Sequence, residues 1–114
     1  MSRGYRLYLS DIIDSTSWLI EQTSALSFDQ FMSDRALRQA AERNCEIIGE
    51  AAKRIPDEIK AKMCDVDWRG LANLRDVVIH RYHRLDHAII WDAINNEFTV
   101  ALEGIRDYLE SLKD

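Results

Sequence analysis

Apolar residues recur at intervals of three and four along most of this chain, and that period confines it to helices. The clearest stretch holds Leu37, Ala40, Ala41, Cys45, Ile48, Ala51, Ala52 and Ile55 on one face. Ser33-Asp34 is placed to cap that helix, which runs to about Arg54. Ala40, Ala41, Gly49, Ala51 and Ala52 keep its surface shallow enough for a second helix to come close. Glycine inside a helix costs about 1 kcal/mol relative to alanine, so Gly49 calls for a packing reason.

The other segments follow the same logic. A first helix spans about Tyr5 to Leu26, with Tyr8, Ile12, Trp18 and Leu19 in its apolar stripe. Ser27-Phe28-Asp29-Gln30-Phe31-Met32 reads as a short capped turn of helix. Ile55-Pro56 ends the long helix, because proline disfavours a helical residue before it. Pro56 then opens a short helix of Asp57, Glu58, Ile59 and Lys60. Asp67 is the expected N-cap of a helix burying Trp68, Leu71, Leu74 and Val78. Asp86 is the expected cap of a last helix through Ile89, Ile90, Ile94, Phe98, Leu102, Ile105 and Leu109. Four glycines and one proline argue against an all-β fold. The short connections predict an all-α fold, an antiparallel bundle of four main helices plus short helices. Its 114 residues are enough for one core, so residues 1–114 are expected to form a single domain.

Cys45 and Cys64 form neither a metal-like pair nor a disulfide framework. The opening residues Met1 to Tyr5 are polar and brief, unlike a signal peptide. No apolar run approaches the roughly 20 residues that span a bilayer. A soluble, cytoplasmic protein without membrane contact is expected. The net charge of −5 is unfavourable for a protein that meets nucleic acid. Between Trp68 and His87, however, four arginines (69, 75, 81 and 84) face two aspartates, and all three histidines fall there. A local basic patch on an acidic body suits a small phosphate site better than a long nucleic-acid track. It is also what a solvated helix face would look like.

Within that window lies Arg75-Asp76-Val77-Val78-Ile79-His80-Arg81-Tyr82. Arginine clamps a phosphate through paired donors, and histidine passes protons near neutral pH. Together they suffice to break an RNA backbone without a metal. On one helix Arg75 and His80 project roughly 140° apart, whereas Arg75 and Tyr82 differ by only about 20°. A single helix cannot aim Arg75 and His80 at one atom unless it ends or unwinds near His80. Two copies around a two-fold axis would instead bring two arginines and two histidines into one cleft.

The segment resembles the Arg-polar-x-x-x-His-x-Tyr signature of HEPN-domain proteins, and more narrowly the HepT-like ribonuclease toxins encoded beside a minimal nucleotidyltransferase antitoxin. Asn44 to Arg54 is similar to that family's second helix. Asp67-Trp68-Arg69, the Arg75–Tyr82 block and Asp86 with Ile90-Trp91 follow its later landmarks in order. The resemblance implies a metal-independent endoribonuclease with a composite site at a homodimer interface and no cofactor. It assigns Arg75 to the scissile phosphate and His80 to proton transfer in attack by the ribose 2′-hydroxyl. Asp76 would orient its neighbour. Tyr82 would be the residue that the nucleotidyltransferase adenylylates, and RNA would be the substrate. The family gives no account of His83, His87 or the overall acidity.

Other readings stay open at this point. Arg75 could pair with Glu46 or Glu50 across the bundle, His80 could sit at a helix C-terminus, and Tyr82 could be a half-buried anchor. His80, His83 and His87 invite a metal reading, but a helix starting at Asp86 would break their common face. Trp18, Trp68 and Trp91 fit core or interface positions. A non-catalytic binding module that serves a nucleotidyltransferase is the alternative function. A purely structural helical dimer would require the Arg75–His80 segment to be buried or salt-bridged.

Overall fold

Capping side chains set the starts of three helices in the computed structural model, which describes residues 4–79 and 84–113. α1 (Tyr5–Thr23) ends three residues before its sequence-based limit. There the Thr23 hydroxyl donates back to the Leu19 carbonyl at 2.7 Å, and the chain turns as Leu26 N–H bonds Thr23 O. α2 (Phe28–Ser33) begins with a full capping box. Gln30 N–H donates to the Ser27 hydroxyl, and the Gln30 side chain accepts from Ser27 N–H. Asp34 opens α3 (Arg35–Lys53) by accepting Leu37 N–H at 3.0 Å. Pro56 precedes the short α4 (Asp57–Lys60). Asp67 accepts Gly70 N–H at 2.9 Å, which starts α5 (Trp68–Ile79). Two further helices, α6 (Arg84–Asn95) and α7 (Glu97–Ser111), complete an all-α fold without strands among the described residues.

The expected last helix is thus two helices. It breaks at Asn96, whose backbone (φ −129°, ψ −74°) leaves the helical region. Asn95 and Asn96 turn their amides back onto the carbonyls of Trp91 and Asp92. Such side-chain bonds offer the backbone an alternative to continuing the helix. Asp86 is not the N-cap either: it lies inside α6, in the first turn of its described span. A carboxylate complements the helix dipole from either place, which is why the two positions look alike in sequence.

α3 packs against α5 on one side and α1 on the other, while α7 lies along α1 and α6. Leu9, Ile12 and Leu19 from α1 meet Ile48 and Ala52 from α3 in the core. α5 contributes Leu71, Leu74 and Val78, and α6 and α7 contribute Ile90, Ile94, Phe98 and Ile105. Each large apolar side chain buried this way stabilises the fold by about 1.5–3 kcal/mol. Trp91 packs on Phe31 and Phe28, with ring centroids 5.2 and 6.1 Å away. Trp68 is buried and Trp18 is partly exposed. No helix among the described residues is long and apolar enough to cross a membrane.

Cys45 sits in the core, and burial, with Glu42 nearby, pushes its thiol up to about 12. Cys64 is exposed. A disulfide-exchange reagent at pH 8 is expected to titrate one thiol rapidly in the folded protein and two after denaturation. Two rapid thiols in the native protein would contradict this packing of α3.

Candidate functional site

α5 carries the first half of the sequence motif. Its Trp68, Leu71, Leu74 and Val78 face the core, and this turns Arg75 and Asp76 to the surface. Arg75 is 46% exposed and donates from Nη1 to Glu50 Oε1 at 2.8 Å. Of the two carboxylates one turn apart on α3, Glu50 takes the arginine, while Glu46 faces Arg43 at 3.9 Å. The second Glu50 oxygen lies 3.8 Å from Arg54 Nη2. Arg75 is therefore both ion-paired and half open to solvent. Asp76 is exposed beside it and makes no ion pair among the described residues. Arg69 is exposed six residues earlier on the same helix.

Gly49 explains why Glu50 is the partner. A Cβ placed on Gly49 would stand 3.0 Å from Arg75 N and 3.1 Å from both Ala72 O and Arg75 Cβ. The α3 backbone thus lies directly against the α5 backbone at Arg75. That close approach sets the helix register, and the residue after Gly49 is the one that reaches the guanidinium.

His80 and Tyr82, the other two motif residues, lie outside the described residues, as does His83. His87 is described and is buried. Its Nε2 meets Glu42 Oε2 at 2.8 Å between α6 and α3, with side-chain exposures of 8% and 13%. The third histidine of the metal reading is thus engaged by a carboxylate inside the bundle. Sequence spacing gave no sign of this pair, because its members lie 45 positions apart. Replacing Glu42 with alanine leaves a buried imidazole without that partner. A loss of about 2 kcal/mol is expected in chemical denaturation. A Glu42→Ala variant as stable as the parent would show that the contact is energetically idle.

The Tyr5 and Tyr108 hydroxyls stand 3.4 Å apart and link α1 to α7. The hydrogen bond from Tyr108, then the one from Arg6, lowers Tyr5 below the usual phenol range. The same Tyr5–Tyr108 bond, followed by burial, raises Tyr108.

Comparison with known proteins gives consistent results. The family model described as Ribonuclease HepT-like matches residues 12–112. A Methanocaldococcus jannaschii protein provisionally named as an RNase is 33% identical over 111 residues, covering 97% of this chain and 92% of its own length. One from Caldanaerobacter subterraneus subsp. tengcongensis, provisionally named in the same way, is 36% identical over 108 residues, covering 95% and 96%. The protein named "Probable ribonuclease HepT" from Thermococcus cleftensis is 34% identical over 97 residues, covering 85% and 88%. No solved structure gives a significant match.

Proposed function

Because the chain belongs to the HepT-like ribonuclease family, we propose that it is a metal-independent endoribonuclease that uses Arg75 and His80. The observation that carries this reading is a half-exposed arginine, Arg75, on the surface of α5 at the head of the family-like motif. Its guanidinium offers several donors, and Glu50 engages one terminal nitrogen. Donors that remain can meet a phosphate. A guanidinium in a partly desolvated place stabilises charge that develops on the phosphoryl oxygens in the transition state.

His80 supplies the proton chemistry. A base removes the proton of the ribose 2′-hydroxyl, and the 2′-oxygen attacks the adjacent phosphorus. The bond from phosphorus to the 5′-oxygen breaks, and an acid protonates that leaving oxygen. The products are a 2′,3′-cyclic phosphate and a free 5′-hydroxyl, and no water or metal enters this step. Asp76 sits beside Arg75 and orients it toward the substrate.

The active species in this proposal is a homodimer. Two copies of the motif around a two-fold axis form one cleft, which resolves the angular separation of Arg75 and His80 on a single helix. The protein acts as the toxin of a toxin–antitoxin pair whose nucleotidyltransferase partner adenylylates Tyr82. Adding a nucleotide there brings bulk and negative charge near Arg75 and opposes phosphate binding.

The test is cleavage of pooled cellular RNA by purified wild type, Arg75→Ala and His80→Ala. Wild-type cleavage that both substitutions remove supports the proposal. A folded wild type that binds the nucleotidyltransferase and nucleotide but leaves RNA intact would replace it with the non-catalytic binding module.

A further inference from the structure

Two neighbouring residues of α3 meet the same arginine of α5 in different ways. Gly49 holds the two backbones together at Arg75, where an added Cβ would be 3.0 Å from its amide nitrogen. Glu50 then reaches the Arg75 guanidinium, with Oε1 to Nη1 at 2.8 Å. The carboxylate is itself flanked on its other oxygen by Arg54, one turn later, at 3.8 Å. An ion pair exposed by 46% and 42% adds little to stability, because water screens it and both side chains lose freedom. A stabilising role does not account for this arrangement. Control over the direction of one guanidinium does.

We infer that Glu50 is a positioning residue for Arg75, fixing one edge of the guanidinium so that its remaining donors face the scissile phosphate. The inference rests on the reading that Arg75 binds that phosphate. Arginine is a long chain with many rotamers, and its planar fork recognises phosphate only when it is correctly oriented. A carboxylate on a neighbouring helix, beside a close backbone contact, holds the fork before substrate arrives. Preorganisation of this kind acts on the rate, since a small misplacement of a clamping group is costly in the transition state.

The experiment compares wild type, Glu50→Gln, Glu50→Ala and Arg75→Ala at full length. It measures kcat and KM for RNA cleavage, thermal stability, and the Arg75 Nη–H signals by NMR without RNA. Glutamine keeps an oxygen acceptor at the right distance and alanine does not. Glu50→Ala is expected to lose about tenfold in kcat/KM, mostly in kcat, with its melting temperature nearly unchanged. Glu50→Gln is expected to stay within about threefold of wild type. The Arg75 Nη–H signals are expected to be resolved in wild type and in Glu50→Gln and to broaden by rotation and exchange in Glu50→Ala. Glu50→Ala cleaving as fast as wild type, or faster, while Arg75→Ala is inactive would overturn the inference alone. Arg75→Ala cleaving like wild type, or a wild type without cleavage, would overturn the phosphate reading of Arg75 and the inference with it.

Discussion

Arg75→Ala is expected to reduce RNA cleavage by about 10²- to 10³-fold, the range for loss of one charged group that stabilises a transition state. The fold should survive, because the side chain is half exposed and its pair with Glu50 contributes only about 0–1 kcal/mol. Arg75→Lys is the informative partner. It keeps the charge and loses the planar fork, so it should bind RNA better than Arg75→Ala yet cleave far more slowly than wild type. His80→Ala is expected to lose about 10²–10⁴-fold, as for a general acid or base. Rates, RNA affinity and circular dichroism on the same preparations check all three. Near-normal cleavage by a well-folded Arg75→Ala would refute the assignment.

The second large effect is predicted at a residue with no chemistry of its own. Gly49→Leu would drive a side chain into Ala72 O and the Arg75 backbone, which are already within 3.1 Å of a lone Cβ. Those neighbours are backbone, so relief requires α3 and α5 to move apart. Overpacking of this severity is expected to cost about 3 kcal/mol or more, and to displace Arg75 as well. Gly49→Ala is the graded control. Its gain in helix propensity, about 1 kcal/mol, should be outweighed by the 3.0 Å contact, leaving a smaller net loss. Urea denaturation measures the stability change, and cleavage assays at a temperature where both variants are folded measure the shift of Arg75. A Gly49→Leu variant with unchanged stability would mean that the two helices are not in backbone contact.

Local signals carried most of the fold. Ser27, Asp34 and Asp67 are short polar side chains before apolar periods, and each accepts the amide hydrogen bond expected of a cap. Pro56 ended one helix and preceded the next because its ring leaves few alternatives. The break at Asn96 escaped because Ile94, Phe98, Leu102 and Ile105 keep a helical period straight through it. No proline or glycine marks the break, and asparagine hydrogen-bonding back to its own helix is a weaker signal than either.

The site was less legible for a different reason. Arg75 stood out as chemistry, but choosing between Glu46 and Glu50 depends on the register of two helices. These two carboxylates share a face, and only the contact at Gly49 decides between them. The small-residue surface of the long helix pointed to close packing there, without saying which residue of α5 it would meet. Glu42 and His87 are a comparable case, since a pair across the bundle leaves no periodic trace in the chain. His80 and Tyr82 lie outside the described residues, so their roles rest on the motif and on family membership.

The most direct test of the central claim is end-group analysis of RNA cut by wild-type protein in excess chelator. A 2′-hydroxyl attack aided by Arg75 and His80 predicts undiminished cleavage, with 2′,3′-cyclic phosphate on one fragment and 5′-hydroxyl on the other. Cleavage that stops in chelator, or fragments carrying 5′-phosphate and 3′-hydroxyl ends, would contradict it.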